Sequence, residues 1–207
     1  MPDTEESPVT SVDRALRILT EIGEAPRGLS LDELWGRLRI PKSSLHRILA
    51  ALNLTFNRLE KSVYHQERAL ALSPNYDLVV VQQGELLTWL GRPVEGIEWI
   101  RKAMRLNPYH PERFWSHLGR AQFTAKLYAD AIQSYSRITA PDQLHHAFMA
   151  AAAAYMGDMT AANAHAKEVL ARAPDFTISA LLGTLHYSQE SDREHCREGL
   201  LKAGLPA

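Results

Sequence analysis

Apolar residues in the first part of the chain recur at helical spacing. Leu45, Ile48, Leu49 and Leu52 stand at i, i+3, i+4 and i+7 and predict a helix from Lys42 to about Leu52. Leu31, Leu34 and Leu38 form a stripe of their own behind Ser30-Leu31-Asp32-Glu33, where serine and glutamate have the spacing of a capping box. An earlier helix is marked by Leu16, Leu19 and Ile22. It opens at Thr10-Ser11-Val12-Asp13, with Thr10 placed to cap, and breaks over Gly23 to Gly28 around Pro26. No alternating pattern and no hairpin turn follows the third helix; Asn53-Leu54-Thr55-Phe56-Asn57-Arg58 runs straight into another helical stretch, Asn57 to Leu72.

Beyond that point the pattern becomes periodic. Pro74, Pro108, Pro141 and Pro174 are separated by 34, 33 and 33 residues. A period in that range is the mark of stacked helical hairpins. Gly84 and Gly119 sit in the first helix of two units, and Gly96, Ala131 and Ala162 where the second helix must approach it. Ile100, Tyr135 and Ala166 follow four residues later, and Ala103, Ile138 and Val169 seven later, on one helical face. Small residues let the two backbones close up, and each proline ends a unit because it cannot continue a helix.

These positions resemble the tetratricopeptide repeat family over roughly residues 60 to 174. The unit near Glu112 carries Trp115, Leu118, Gly119, Tyr128, Ala131 and Tyr135 in family positions. The unit near Asp77 has Val80 where tryptophan is common, and the last unit has Ala150 in place of glycine. The first unit shows only a second helix, so its partner comes from the N-terminal domain or is missing. Ser191-Asp192-Arg193-Glu194 predicts a final capped helix near 191–202 that covers the end of the array. From Arg113 to the closing GLLKAGLPA the chain also resembles the repeat-containing C-terminal halves of some bacterial class III adenylate cyclases. The cyclase catalytic domain has no counterpart, so that resemblance implies ancestry and no activity.

Two short helices joined at Arg39-Ile40-Pro41, the second polar at its start, describe a helix-turn-helix. From Arg37 to Arg47 there are four basic residues and no acidic one, in a chain of net charge −1. Lys42 and Arg47 suit phosphates or guanine edges, and Ser43 and Ser44 suit phosphate oxygens at a helix N-terminus. The pieces SVDRALRIL, GLSLDEL and IPKSSLHRILAAL, in that order, resemble the DNA-binding domain of the IclR family of bacterial regulators over residues 10 to 52. The resemblance implies that Pro41, Lys42, Ser43, Ser44, His46 and Arg47 lie at the start of a recognition helix; with Arg39 of the turn, Lys42, Ser43, Ser44, His46 and Arg47 are the candidate contacts to double-stranded DNA. The family's two-stranded wing and effector domain have no counterpart here.

The expected organisation is therefore all-α: a disordered N-terminus over 1–9, a winged-helix-like helix-turn-helix without a clear wing over 10–53, a tetratricopeptide array over 57–174 and a cap over 175–207. The expected function is a DNA-binding transcription regulator whose array holds a protein or peptide partner, with a homodimer if binding is specific. The competing expectation is a scaffold that does not bind DNA. A weaker one is a regulatory fragment that pairs with a separate cyclase.

Composition narrows these classes. The 207 residues are 45% hydrophobic and 23% charged, ordinary for a globular chain. The MPDTEESPVT start lacks a signal-peptide pattern, and the apolar run Ala147 to Met156 is about half of a membrane helix. One cysteine, Cys196, precludes an internal disulfide and suits the cytoplasm. The nine histidines lack zinc-site spacing. No phosphate loop or nucleophile elbow is present, so neither cofactor nor catalysis is expected. Trp89, Trp99, Trp115 and the tyrosines fit packing positions better than a ligand cage.

Overall fold

The computed structural model describes residues 11–207, with burial described from Asp13 onward. The expected Thr10 cap and the expected disorder of residues 1–9 fall outside the described residues. The fold is all-α; among the described residues there are helices and turns and no strand, so no wing follows the helix-turn-helix. The chain divides into two compact units, residues up to Pro74 and residues from Asn75 onward.

The first unit holds α1 (Ser11–Gly23), α2 (Leu31–Leu38), α3 (Lys42–Thr55) and α4 (Leu59–Leu72). The Ser30 capping box forms: the Glu33 carboxylate accepts from Ser30 N–H at 2.7 Å, and Ser30 Oγ accepts from Glu33 N–H at 3.2 Å. Ile18, Leu34, Leu38, Ile40, Leu45 and Ile48 make one apolar core. The expected stripe on α1 is corrected here. Leu16, Leu19 and Ile22 are exposed, and α1 reaches the core through Ile18, with Ala15 beside it. The stripe follows helical spacing but lies on the outer track of a helix with two apolar tracks.

The second unit is built from hairpins: α5 (Asp77–Trp89) with α6 (Pro93–Leu106), α7 (Arg113–Thr124) with α8 (Tyr128–Tyr135), and α9 (Gln143–Tyr155) with α10 (Met159–Arg172). Gly84 and Gly96 face each other. A Cβ on Gly84 would lie 2.6 Å from the Gly96 carbonyl, and one on Gly96 would lie 2.7 Å from the Gly84 carbonyl. The helix α8 stops at Tyr135, so Ile138, expected on its inner face, lies beyond its end. The chain finishes with α11 (Ile178–Thr184) and α12 (Glu190–Lys202). The Ser191 capping box does not form: α12 starts a residue ahead of Ser191, with Gln189 at its N-cap and no side-chain cap.

The missing partner of the first repeat is α3. It pairs with α4 as α5 does with α6. The turn is the same in all four hairpins. Asn57, Gly91, Lys126 and Gly157 take left-handed φ values of 54°, 77°, 63° and 79°. The next N–H bonds back five residues each time: Arg58 to Asn53, Arg92 to Leu87, Leu127 to Gln122 and Asp158 to Ala153, at 2.7–3.0 Å. The small residues at the crossing keep step too: Ala50 and Ser62, Gly84 and Gly96, Gly119 and Ala131, Ala150 and Ala162, each pair 12 apart.

Candidate nucleic-acid interface

The turn of the helix-turn-helix is set by backbone. Arg39 adopts φ 54° at the end of α2, where its N–H donates to the Trp35 carbonyl. Pro41 then opens α3 as N-cap, its carbonyl taking the Leu45 N–H at 3.0 Å. No side chain caps this end, and no acidic residue lies in its first turn. The acid-free stretch is longer than the turn alone suggests. From Leu34 to Leu59 the sequence carries Arg37, Arg39, Lys42, Arg47 and Arg58 with no Asp or Glu.

The inner face of α3 packs in the helix-turn-helix core through Leu45 and Ile48, as the periodicity implied. The opposite face is also covered. Ser43, Ser44 and His46 are only 9%, 4% and 5% exposed, and Ala50 is fully buried. Over His46 and Ala50 the cover is α4. Ser62 Oγ donates to the Ala50 carbonyl at 2.9 Å, and the Nδ1 atoms of His46 and His65 approach to 3.0 Å. The Tyr64 ring stands edge-on to His46 at 6.5 Å. Ser62, Gln66 and Ala69 of α4 are buried as well. Ser43, Ser44 and His46 thus present little surface in this structure.

Of the other candidates, Arg39 and Lys42 are exposed and Arg47 is half-buried. Lys42 is held from two sides: its Nζ lies 2.9 Å from the Asp32 carboxylate and 4.8 Å from the centre of the Trp35 ring. Arg37 pairs with Glu21 at 3.0 Å. A cleft of about 340 Å³ opens where α3 and α4 meet, lined by Lys42, His46, Tyr64 and Arg68 among others. Burial depresses the affinity of His46 for a proton, with the charges of Arg68 and Lys42 adding to the effect. The same holds for His65, where burial leads and His46 and Lys61 follow. Both rings are thus biased to the neutral form, and a hydrogen bond between two imidazole nitrogens requires that at least one of them be neutral.

An equivalent pair occurs in the second unit. His146 and His165 bring their Nδ1 atoms to 3.1 Å, again 19 residues apart. Among the described residues no group of three or more His, Cys, Asp or Glu side chains is placed to hold a metal. No described helix is long and apolar enough to cross a membrane. Of the aromatic residues expected in packing positions, Trp89 and Tyr135 are buried and Trp99 and Trp115 half-buried, whereas Tyr64, Tyr76 and Tyr109 are exposed, contrary to the expectation.

The family model of the IclR helix-turn-helix domain matches residues 11–53, which are α1 to α3. No curated protein matches the chain. Three solved structures are similar across most of it. PilW, a widely conserved type IV pilus biogenesis factor, is 15% identical with a TM-score of 0.66, covering 94% of this chain and 87% of its own. MamA from Desulfovibrio magneticus RS-1 is 16% identical with a TM-score of 0.56, over 80% and 94% of the two chains. YrrB, described as a TPR protein with an unusual peptide-binding site, is 17% identical with a TM-score of 0.55, over 84% and 91%. At these identities the likeness establishes the fold, an array of tetratricopeptide type.

Proposed function

We propose that this chain couples double-stranded DNA to a protein partner. The N-terminal unit contacts DNA, the array holds the partner, and the pair acts in transcription regulation in a bacterial cytoplasm. The observation that carries the DNA half is the IclR-type helix order over α1 to α3, with an acid-free basic stretch around its turn. The repeat architecture supports the protein half, since such arrays present extended binding faces.

The cover over α3 determines the manner of binding. With α4 in place, Arg39, Lys42 and Arg47 are the candidates left with surface for phosphates, beside the exposed Arg37 and Arg58, and contact of that kind is salt-sensitive and nearly indifferent to sequence. Base reading by His46 requires α4 to leave. Two helix-turn-helix domains normally read half-sites about 34 Å apart, so specific binding would use a homodimer. The exposed stripe Leu16, Leu19 and Ile22 on α1 supports such a pairing.

A second reading is favoured by the burial of Ser43, Ser44 and His46: a scaffold in which the former recognition helix has become the first helix of the array. Fluorescence anisotropy with DNA at several salt concentrations separates the two. Binding that weakens steeply with salt and is lost in Arg39→Glu/Lys42→Glu supports the first reading. No binding at low salt by the folded chain leaves the second. The resemblance of the C-terminal half to cyclase repeats supports only a common origin of the array.

A further inference from the structure

The C-terminal segment does more than close the stack. It lies on the face made by the first helices of three successive hairpins. Ser188 N–H donates to the Trp89 carbonyl in α5 at 2.8 Å, and the Tyr187 ring meets the Trp89 ring edge-on at 4.9 Å. The Tyr187 hydroxyl lies 3.2 Å from Thr124 Oγ1 in α7. In α9 the Tyr155 hydroxyl donates to the His195 carbonyl at 2.7 Å, while the two rings stack at 4.6 Å. A helix that only sealed the end would meet the last hairpin alone. A segment that crosses consecutive units on one face, held partly through its backbone, occupies the place of a ligand.

The fit leaves polar groups unmet. Trp89, Arg120 and Tyr135 are each more than nine-tenths buried, and the indole Nε1, the guanidinium Nε and the phenol oxygen have no hydrogen-bond partner. Such groups are rare in folded proteins because burial without a partner is costly. The carboxylate beside Arg120 is Glu85 at 3.6 Å, which also lies 3.4 Å from His117. Among the described residues no carboxylate of the segment forms an ion pair with Arg120; the segment's His186, Tyr187 and Cys196 are the groups that feel its charge. Its own Asp192 has a buried oxygen with no hydrogen-bond partner and has Lys126 as its nearby cation. The floor offers donors, and the segment brings its acid to a different place.

We propose that the face formed by α5, α7 and α9 recognises a partner helix bearing a carboxylate opposite Arg120, and that the segment 185–205 is a tethered competitor for it. This rests on the adaptor reading and names the chemistry of the partner. The contacts already made give the rest of the pattern: an aromatic ring toward Trp89, and a glycine-sized position where Gly199 meets Tyr155, since a Cβ there would lie 2.6 Å from that ring.

The full chain supplies its own reporter. Cys196 is the single cysteine and is fully buried, so its modification by a thiol reagent measures displacement of the segment. The probes are two synthetic peptides copying residues 185–205, one with Cys196→Ser and one with Cys196→Glu. We expect both to speed modification of Cys196. The Cys196→Glu peptide should bind about tenfold more tightly, as a charged hydrogen bond warrants. Arg120→Gln in the protein should remove the difference. Equal affinity for the two peptides overturns the proposal. So does unchanged protection of Cys196 in both the unmodified chain and a Leu200→Ala chain of native circular dichroism, which would make the segment permanent core. A natural partner that binds with Cys196 still protected would also overturn it, while leaving the adaptor reading in place.

Discussion

His46 and His65 place their Nδ1 atoms 3.0 Å apart, joining a residue of α3 to one of α4, the helix that covers it. One ring must be neutral to accept the proton of the other. Lys42, Lys61 and Arg68 are the charges that act on the pair, and all are positive.

Acid should loosen this contact. Both imidazoles bind protons less readily in the folded chain than their ordinary value, chiefly through burial. The unfolded chain takes up protons first as pH falls past about 6.5, so stability is full above that value and is lost below it. Urea unfolding at pH 7.5 and 5.5 should show a lower midpoint at pH 5.5. His65→Gln should reduce the difference, since His146 and His165 retain their own share of it.

The crossing of α3 and α4 should be intolerant of bulk. Ala50 is fully buried, and its carbonyl takes the Ser62 hydroxyl. Ala50→Leu should cost about 1–3 kcal/mol, the usual range for overpacking a tight site. Denaturant midpoints give the value. If α4 is the cover that hides a DNA-reading face, the same variant should also bind DNA more tightly than the unmodified chain at low salt.

Two glycines should respond in opposite directions. Gly84→Ala forces a Cβ against the Gly96 carbonyl and the Ile100 side chain and should destabilise the array by about 1–3 kcal/mol. Gly183, inside α11, has open space around its would-be Cβ. Gly183→Ala should stabilise by roughly 0.5–1 kcal/mol through helix propensity. Thermal unfolding of the two variants side by side tests both.

If the chain dimerises through α1, Leu16→Glu/Leu19→Glu should convert it to a monomer without loss of helicity, since both side chains are exposed. Sedimentation velocity of the variant and the unmodified chain decides this. A monomeric unmodified chain at micromolar concentration removes the homodimer from the account.

The repeat was legible because its constraints are local: a proline where a helix must stop, and small residues where two must touch. The Ser30–Glu33 box was legible for the same reason. The double use of α3 was written in the sequence as well, in the 12-residue step from Ala50 to Ser62 that the later hairpins repeat. Ala50 lies off the Leu45–Ile48–Leu52 stripe, so the period within α3 does not by itself show that a second helix packs there. The burial of His46 and Ala50 depends on α4 coming to rest on α3, and no spacing within α3 encodes it. On α1 the periodicity gave a helix but not its inward track, and Ile18 rather than Leu16 or Leu19 is buried. The path of the tail across α5, α7 and α9 is set by long-range contacts of Tyr187, Ser188 and His195, which a cap assignment cannot reveal.

The central claim is that α3 serves as the first helix of the first hairpin, with α4 holding its recognition face. Amide hydrogen exchange on the free chain tests it most directly. The account expects the amides of Ser62 to Ala69 in α4 to be protected together with those of α3 and to exchange in one cooperative opening. Rapid exchange throughout α4, with α3 still protected, would mean that the recognition face is open to solvent and would contradict it.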